Sequence, residues 1–166
     1  RGSENDVLSR YLVGAQKHNL SSIIRLTSDC PLVDPELINE MLSYFKFLKL
    51  DYLGNTTPPN KSTFPDGSDI EIFSTLALKK ANMEIQDTKY REHVTFQFWD
   101  NKFDYNIKRY DQKVCHSHLR YTIDNPEDYQ LFKIIYDKLL KVSNKFITFH
   151  EIQNFLQHNK ELKNIN

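Results

Sequence analysis

The stretch Ser22-Ile-Ile-Arg-Leu-Thr-Ser-Asp-Cys-Pro-Leu-Val-Asp-Pro35 decides the fold. Its first six residues, Ser22 to Thr27, are rich in β-branched side chains, the composition of a buried strand. Ser28-Asp29-Cys30-Pro31 ends that strand. Asp34-Pro35 then reads as an N-cap followed by a proline at the first helical position, where a missing N–H costs the helix nothing. Behind it Leu37, Ile38, Met41, Leu42 and Phe45 recur at helical spacing. The same grammar returns near the other end of the chain. Leu119-Arg-Tyr-Thr-Ile123 reads as a strand, and Asp124-Asn125-Pro126-Glu127-Asp128 as an acid turn opening a helix. Leu131, Ile134, Ile135, Lys138 and Leu139 continue that helix's inner face. Strand, acid turn and capped helix, met twice, predict an α/β domain.

The remaining elements fall into place around these two units. Ser3 predicts a cap for a helix carrying Val7, Leu8, Tyr11, Leu12 and Ala15. Asp51 to Asn55 reads as a short strand and Ile70 to Phe73 as another, with Ser74 capping a helix that runs to about Ile85. Tyr90 to Trp99 predicts one aromatic-rich helix, and Phe103 to Arg109 a further strand. Thr148-x-x-Glu151 is a capping box for a last helix with Ile152, Phe155 and Leu156 inside. Thr56 to Ser68, holding Pro58, Pro59, Pro65 and Gly67, reads as a loop, and ordered loops of that length are often functional. There is no internal repeat and no break in composition, so a single domain over residues 1–166 is expected.

Composition narrows the function classes. Lys+Arg and Asp+Glu are equal at 22 each, which argues against a protein that grips a nucleic-acid backbone by bulk charge. At 39% hydrophobic and 13% aromatic the chain is not disordered, yet no apolar run approaches the length of a membrane span. Cys30 and Cys115 form no CxxC pair and no disulfide framework, and read as reduced thiols of an intracellular protein. Cys115-His116-Ser117-His118 has ligand-like chemistry but no second Cys/His pair at ligand spacing, so zinc is not expected. Lys138, Lys141 and Lys145 read as a solvated helix face.

Asp29 and Asp124 stand out because each follows a strand and precedes a helix. In an open α/β sheet, ligands collect beyond the carboxyl ends of strands, where helix N-termini offer free N–H groups to anions. Two carboxylates at that edge make a hard-oxygen site for Mg²⁺, which takes one or two carboxylates plus phosphate oxygens. Each alone is equally an ordinary helix cap, a role that Asp34 fits better than Asp29 does.

Five segments in order resemble one family. Thr27 to Pro35 resembles the T-G-D-x-P-L-I-x-P signature of cytidylyltransferases that make CMP-activated sugars, the CMP-Kdo and CMP-acylneuraminate synthetases among them. Thr122-Ile-Asp-Asn-Pro-Glu-Asp128 resembles that family's V/I-D-T-P-E-D, with Asn125 in place of Thr. Arg1 to Tyr11, Phe64 to Phe73 and Arg91-Glu-His-Val-Thr95 are similar to R-G-S-E-x-D-V-L-x-R-Y, P-D-G-L-D-x-E-V-F and R-E-H-V-T. Those three belong to the branch named for the spore coat polysaccharide biosynthesis protein SpsF. Ser28 and Ser68 replace the family's Gly and Leu.

The resemblance implies a Rossmann-like mixed β-sheet of the nucleotide-diphospho-sugar transferase type. It implies a reaction of CTP, or another nucleoside triphosphate, with a sugar or sugar acid to give a CMP-sugar and pyrophosphate for surface polysaccharide or glycan biosynthesis. Mg²⁺, a cytoplasmic location and a homodimer follow from the same likeness, with no nucleic-acid or membrane partner. Carried onto this chain, Asp29 and Asp124 are catalytic residues that hold Mg²⁺. Asp66, Asp69 and Glu71 accept hydrogen bonds from sugar hydroxyls, Arg91 clamps a carboxylate or phosphate, and Asn55 contacts sugar or base. His93 either orients or deprotonates the nucleophile, or ties Arg91-Glu92 to the helix that follows. Asp6 and Arg10 lie in a matching segment but serve equally as a cap and a surface ion pair.

The family's phosphate-gripping segment, L-x-A-R-x-G-S-x-R-L-P-G-K, precedes R-G-S-E and has no counterpart here. The chain is therefore expected to be the C-terminal two-thirds of such a domain, without its first strand and phosphate loop and catalytically weak by itself. The expectation from another class is a domain that kept the fold for oligomerisation. Phe96, Phe98, Trp99, Phe103 and Tyr105 would then form an interface rather than core.

Overall fold

A computed structural model describes residues 2–100, 103–143 and 146–165; Arg1 of the opening motif and Lys145 of the lysine-bearing face lie outside them. The chain runs α1 (Val7–Lys17), β1 (Ser22–Arg25), α2 (Pro35–Leu48), β2 (Tyr52–Gly54), β3 (Glu71–Ser74), α3 (Thr75–Glu84), α4 (Thr88–His93), α5 (Phe96–Trp99) and β4 (Ile107–Arg109). After these comes α6 (Pro126–Ile135), which passes through a π turn at Tyr136–Leu140 into α7 (Lys141–Ser143), and then α8 (Phe149–His158). The strands form one mixed sheet in the order β1-β3-β2-β4. β3 is antiparallel to both neighbours, whereas β4 runs parallel to β2. The α/β class and mixed sheet read from the sequence are what the structure shows.

The pleat sends successive residues to opposite faces and so makes two cores. Leu53 and Ile72 face Leu37, Met41 and Phe45 of α2, Leu131 and Ile135 of α6, and Ile152 and Leu156 of α8. Tyr52 and Phe73 face Leu8 and Leu12 of α1, Ala77 and Leu78 of α3, Tyr90 of α4 and Phe98 of α5. Each large apolar side chain buried this way contributes roughly 1.5–3 kcal/mol. The polar hinge between elements is Asp34. One of its oxygens caps α2 through Glu36 N–H (2.7 Å) and Leu37 N–H, while the other accepts from Phe149 N–H (2.8 Å) at the start of α8.

Four local readings are corrected. The cap of α1 is Asp6, not Ser3, because the Asp6 carboxylate reaches Ser9 N–H at 3.1 Å. The helix expected over Tyr90–Trp99 is two helices broken at Val94, whose φ of 52° and ψ of −49° are accompanied by a Thr95 N–H bond to the His93 carbonyl at 2.5 Å. That is a γ-turn, a strained conformation for a β-branched residue, and it coincides with burial of Val94 in the second core. Of the strand expected over Phe103–Arg109, only Ile107–Arg109 pairs, with β2. Leu119–Ile123 is not a strand of the sheet; it makes an isolated parallel bridge, Arg120 opposite Asp66, and a bond to the Asp29 turn. Asp66 N–H donates to Leu119 C=O (3.2 Å), Tyr121 N–H to Asp66 C=O (2.6 Å) and Ile123 N–H to Asp29 C=O (2.8 Å). Gly67, at φ 92°, permits this approach, since a side chain there would strike the Tyr121–Thr122 backbone. Among the described residues no helix is long and apolar enough to cross a membrane.

Candidate functional site

The hydrogen bond from Ile123 to Asp29 joins the two acid turns into one structure. In both, the helix cap is someone else: Asp34 caps α2 and Asn125 caps α6, the latter in a reciprocal box with Asp128. Asp29 and Asp124 are thus relieved of capping and stand forward of the helices. Asp29 is half-buried. Its carboxylate accepts from Thr122 Oγ1 at 3.4 Å and touches the Cys30 thiol at 3.7 Å. The Thr27 hydroxyl, together with the Asp29 amide, Cys30 and Thr122, holds its pKa below the usual carboxylate value against the opposing effect of burial. Burial pushes the Cys30 thiol up to about 12, so it remains protonated between the carboxylates.

Asp66 and Asp69 complete the cluster from the loop after β2. Asp69 accepts from Thr56 Oγ1 (2.5 Å) and Gly67 N–H (2.8 Å). The pKa of Asp66 is raised by burial and by the charges of Asp69, Asp124 and Asp29, with Arg120 opposing them. A cavity of about 310 Å³ opens beside these two residues, walled also by Thr56, Thr57, Ser62 and Ser117. A larger one, about 750 Å³, lies between the starts of α2 and α8 and residues 110–116; none of the predicted site residues lines it.

Arg120 was not foreseen from the sequence. Its guanidinium binds Asp66 Oδ2 at 2.5 Å, pairs with Asp124, and reaches the fully buried Asp128 at 3.3 Å. One cation thus serves three carboxylates that are 54, 4 and 8 residues away along the chain. Only the Arg120–Asp124 spacing carries a sequence signal, as an i,i+4 pair, and even that misleads because the segment is extended.

Other predicted residues have structural partners. Asn55 is fully buried, giving its amide to Ser68 C=O (2.7 Å) and taking Ile70 N–H (2.8 Å), so it pins the loop before β3. Glu71, 3% exposed, lies between Arg25 across the sheet and the Tyr52 hydroxyl. Arg91 spans Asp6, Asn82 and the Ile85 carbonyl, fastening α1, α3 and α4 together. His93 is exposed and stacked on Phe96 at 4.3 Å, outside the hydrogen-bond network of the carboxylates. Phe98 lies in the core and Tyr105 packs edge-on against it.

The donor set suits Mg²⁺ in a particular way. Among the described residues no group of three or more His, Cys, Asp or Glu is placed to hold a metal ion. Two adjacent turns each offer one uncapped carboxylate, which fits a hard cation that completes its shell from substrate oxygens and water.

Comparison with known proteins bears on the fold and the family. A cytidylyltransferase from Leptospira borgpetersenii serovar Hardjo-bovis superposes with a TM-score of 0.89 at 30% identity, covering 98% of this chain and 67% of its own. The spore coat polysaccharide biosynthesis protein SpsF of Bacillus subtilis is 30% identical over 83% of this chain and 56% of its own length. An uncharacterized protein of Methanocaldococcus jannaschii is 29% identical over 100% of this chain and 65% of its own. The chain therefore spans less than two thirds of the length of either curated relative. No family model matches it.

Proposed function

The chain belongs to the cytidylyltransferase family, and on that premise we propose that the full-length protein transfers CMP from CTP to a sugar hydroxyl and releases pyrophosphate, in the making of a surface polysaccharide or glycan. The single observation that carries the reading is the joining of the Asp29 and Ile123–Asp124 turns beside the Asp66–Asp69 cavity. A sugar oxygen attacks the α-phosphorus in line, its proton departs, and the bond to pyrophosphate breaks. Such a transfer depends on positioning and on neutralising charge.

In this reading Asp29 and Asp124 would hold Mg²⁺. The ion, when bound, supplies positive charge to the phosphate oxygens. Asp124 is paired with Arg120, whereas the donors found at Asp29 among the described residues are neutral. Asp66 and Asp69 receive the sugar's hydroxyls. Asn55 pins the loop that carries Asp66 and Asp69, whereas Arg91, held by Asp6, Asn82 and Ile85, and His93 are assigned no role at the cavity. Cytoplasmic location and a homodimer belong to the same proposal.

The test is pyrophosphate release by the full-length protein from CTP, GTP, UTP and ATP, each with a panel of sugars and sugar acids. Release with CTP that fails in Asp29→Asn and Asp124→Asn, with folding intact, supports the assignment. No release with any donor overturns it.

A further inference from the structure

Residues 119–124 stitch together the turns that carry the site's carboxylates. Their backbone holds Asp66 on both sides, through Asp66 N–H to Leu119 C=O and Tyr121 N–H to Asp66 C=O, and holds the Asp29 turn through Ile123 N–H. Those bonds fix where the turns stand, not where the carboxylates point. The side chains of Asp66 and Asp124 are each more than half exposed, and the charges of Asp69, Asp124 and Asp29 all act on Asp66. Left to solvent and mutual repulsion, such side chains spread over several rotamers.

Arg120 removes that freedom, and what lets it do so lies beneath it. Asp128 has no exposed side-chain surface. Its Oδ2 accepts from Asp124 N–H (2.9 Å) and Asn125 N–H (3.2 Å), while its own N–H donates to Asn125 Oδ1 (3.0 Å). The carboxylate is thereby fixed to the first turn of α6. Arg120 lays one edge of its guanidinium on this anchor, Nε to Oδ1 at 3.3 Å and Nη2 to Oδ2 at 3.4 Å. A planar fork held along one edge has its remaining N–H directions set. Those directions meet Asp66 Oδ2 from Nη1 at 2.5 Å and Asp124 from Nη2.

From this chain of contacts we infer that Arg120 is a positioning residue, which sets Asp66 on the acceptor side and Asp124 on the metal side at one separation by referring both to buried Asp128. The inference rests on the proposed roles of Asp66 and Asp124 and adds the group that aligns them. Arg120 acts through these carboxylates and not on the substrate. The fork matters more than the charge: Arg120→Lys keeps a cation there, but a rotating ammonium sets no directions.

The test uses full-length Arg120→Lys and Arg120→Gln, read first without any substrate. Amide hydrogen exchange is expected to quicken by roughly tenfold or more at residues 66–69 and 121–125 together, the worth of one hydrogen bond to a charged group, with β2 and β3 unchanged. Pyrophosphate release from CTP, with whichever sugar of the panel supports it, then separates positioning from plain support. In Arg120→Lys kcat is expected to fall by about 10²-fold at a nearly unchanged KM for CTP, because charge is kept and alignment is lost. A supporting role alone would cost activity only in proportion to the unfolded fraction, and Arg120→Lys would retain it. A wild-type kcat in Arg120→Lys, unchanged exchange in both variants, or exchange raised in one of the two segments without the other overturns the inference. The exchange readout needs neither CTP nor sugar, so failure of the transferase reading and failure of this one are separable.

Discussion

The turns at Asp29 and Asp124 share a plan and differ in their partners. Each places one uncapped carboxylate ahead of a proline-started helix and leaves capping to another residue. In the first turn four residues separate Asp29 from the cap Asp34, and Asp29 meets only neutral donors. In the second, Asp124 directly precedes the cap Asn125, lies exposed, and is paired with Arg120. The same local grammar thus yields one carboxylate bonded by neutral donors and another paired with a cation. A motif fixes where a carboxylate stands; distant segments decide what it is bonded to.

The largest effect that would break the comparison concerns activity. Asp29→Asn and Asp124→Asn are each expected to lower the CTP-dependent rate by about 10²–10³, the range for losing one preorganised charge-stabilising group. Circular dichroism should show both variants folded, because neither residue caps a helix. A full rate in either variant would mean that the turns are alike in sequence only.

Stability separates the two caps next. Asp34→Ala removes a cap and leaves the buried Phe149 N–H without its partner, so the expected loss is about 2–4 kcal/mol. Asn125→Ala removes a cap alone, at about 1 kcal/mol. Chemical denaturation of both variants reads the difference, and equal losses would show that Asp34 does not join α2 to α8 energetically.

The parts of this plan that were legible in the sequence are those set by neighbours along the chain. Asp34-Pro35, Ser74, Asn125-Pro126 and Thr148-x-x-Glu151 cap helices in the structure as they read in the sequence, because a cap needs only a short polar side chain and a free N–H two or three residues on. Ser3 and Asp6 both precede the same apolar face and both read as caps, and only the carboxylate's reach to Ser9 decides between them. Val94 carries no breaker signal, being β-branched within a helical pattern, and its γ-turn goes with packing that no local rule contains. Leu119–Ile123 has the alternation of a strand, yet it reaches only a single parallel bridge with Asp66 and a bond to the Asp29 turn instead of joining the sheet. Arg120 and the Glu71–Tyr52–Thr57 chain were invisible for the same reason: their partners meet only after folding.

The smallest expected effect is the most diagnostic of the environment, because it gives two carboxylates of one cluster opposite signs. The Asp29 pKa is lowered from the ordinary 3.8 by hydroxyl and amide donors, and that of Asp66 is raised from it by burial and by neighbouring charge. The hydrogen bonds of Asp29 favour the folded state above its unfolded pKa, and that contribution is lost as pH falls through the folded value. Asp66 behaves in reverse. The folded state holds its proton more tightly, so its contribution is present below the unfolded pKa and is lost as pH rises through the folded one. Its carboxylate is 57% exposed, which keeps the stability consequence small. Carboxyl ¹³C shifts followed by NMR across the acid range should therefore place the Asp29 midpoint below 3.8 and the Asp66 midpoint above it. Asp69→Asn should move the Asp66 midpoint down by removing a like charge, while leaving Asp29 on its side of the ordinary value. Two midpoints on the same side would show that solvent, rather than the hydroxyl donors and the carboxylate cluster, sets both.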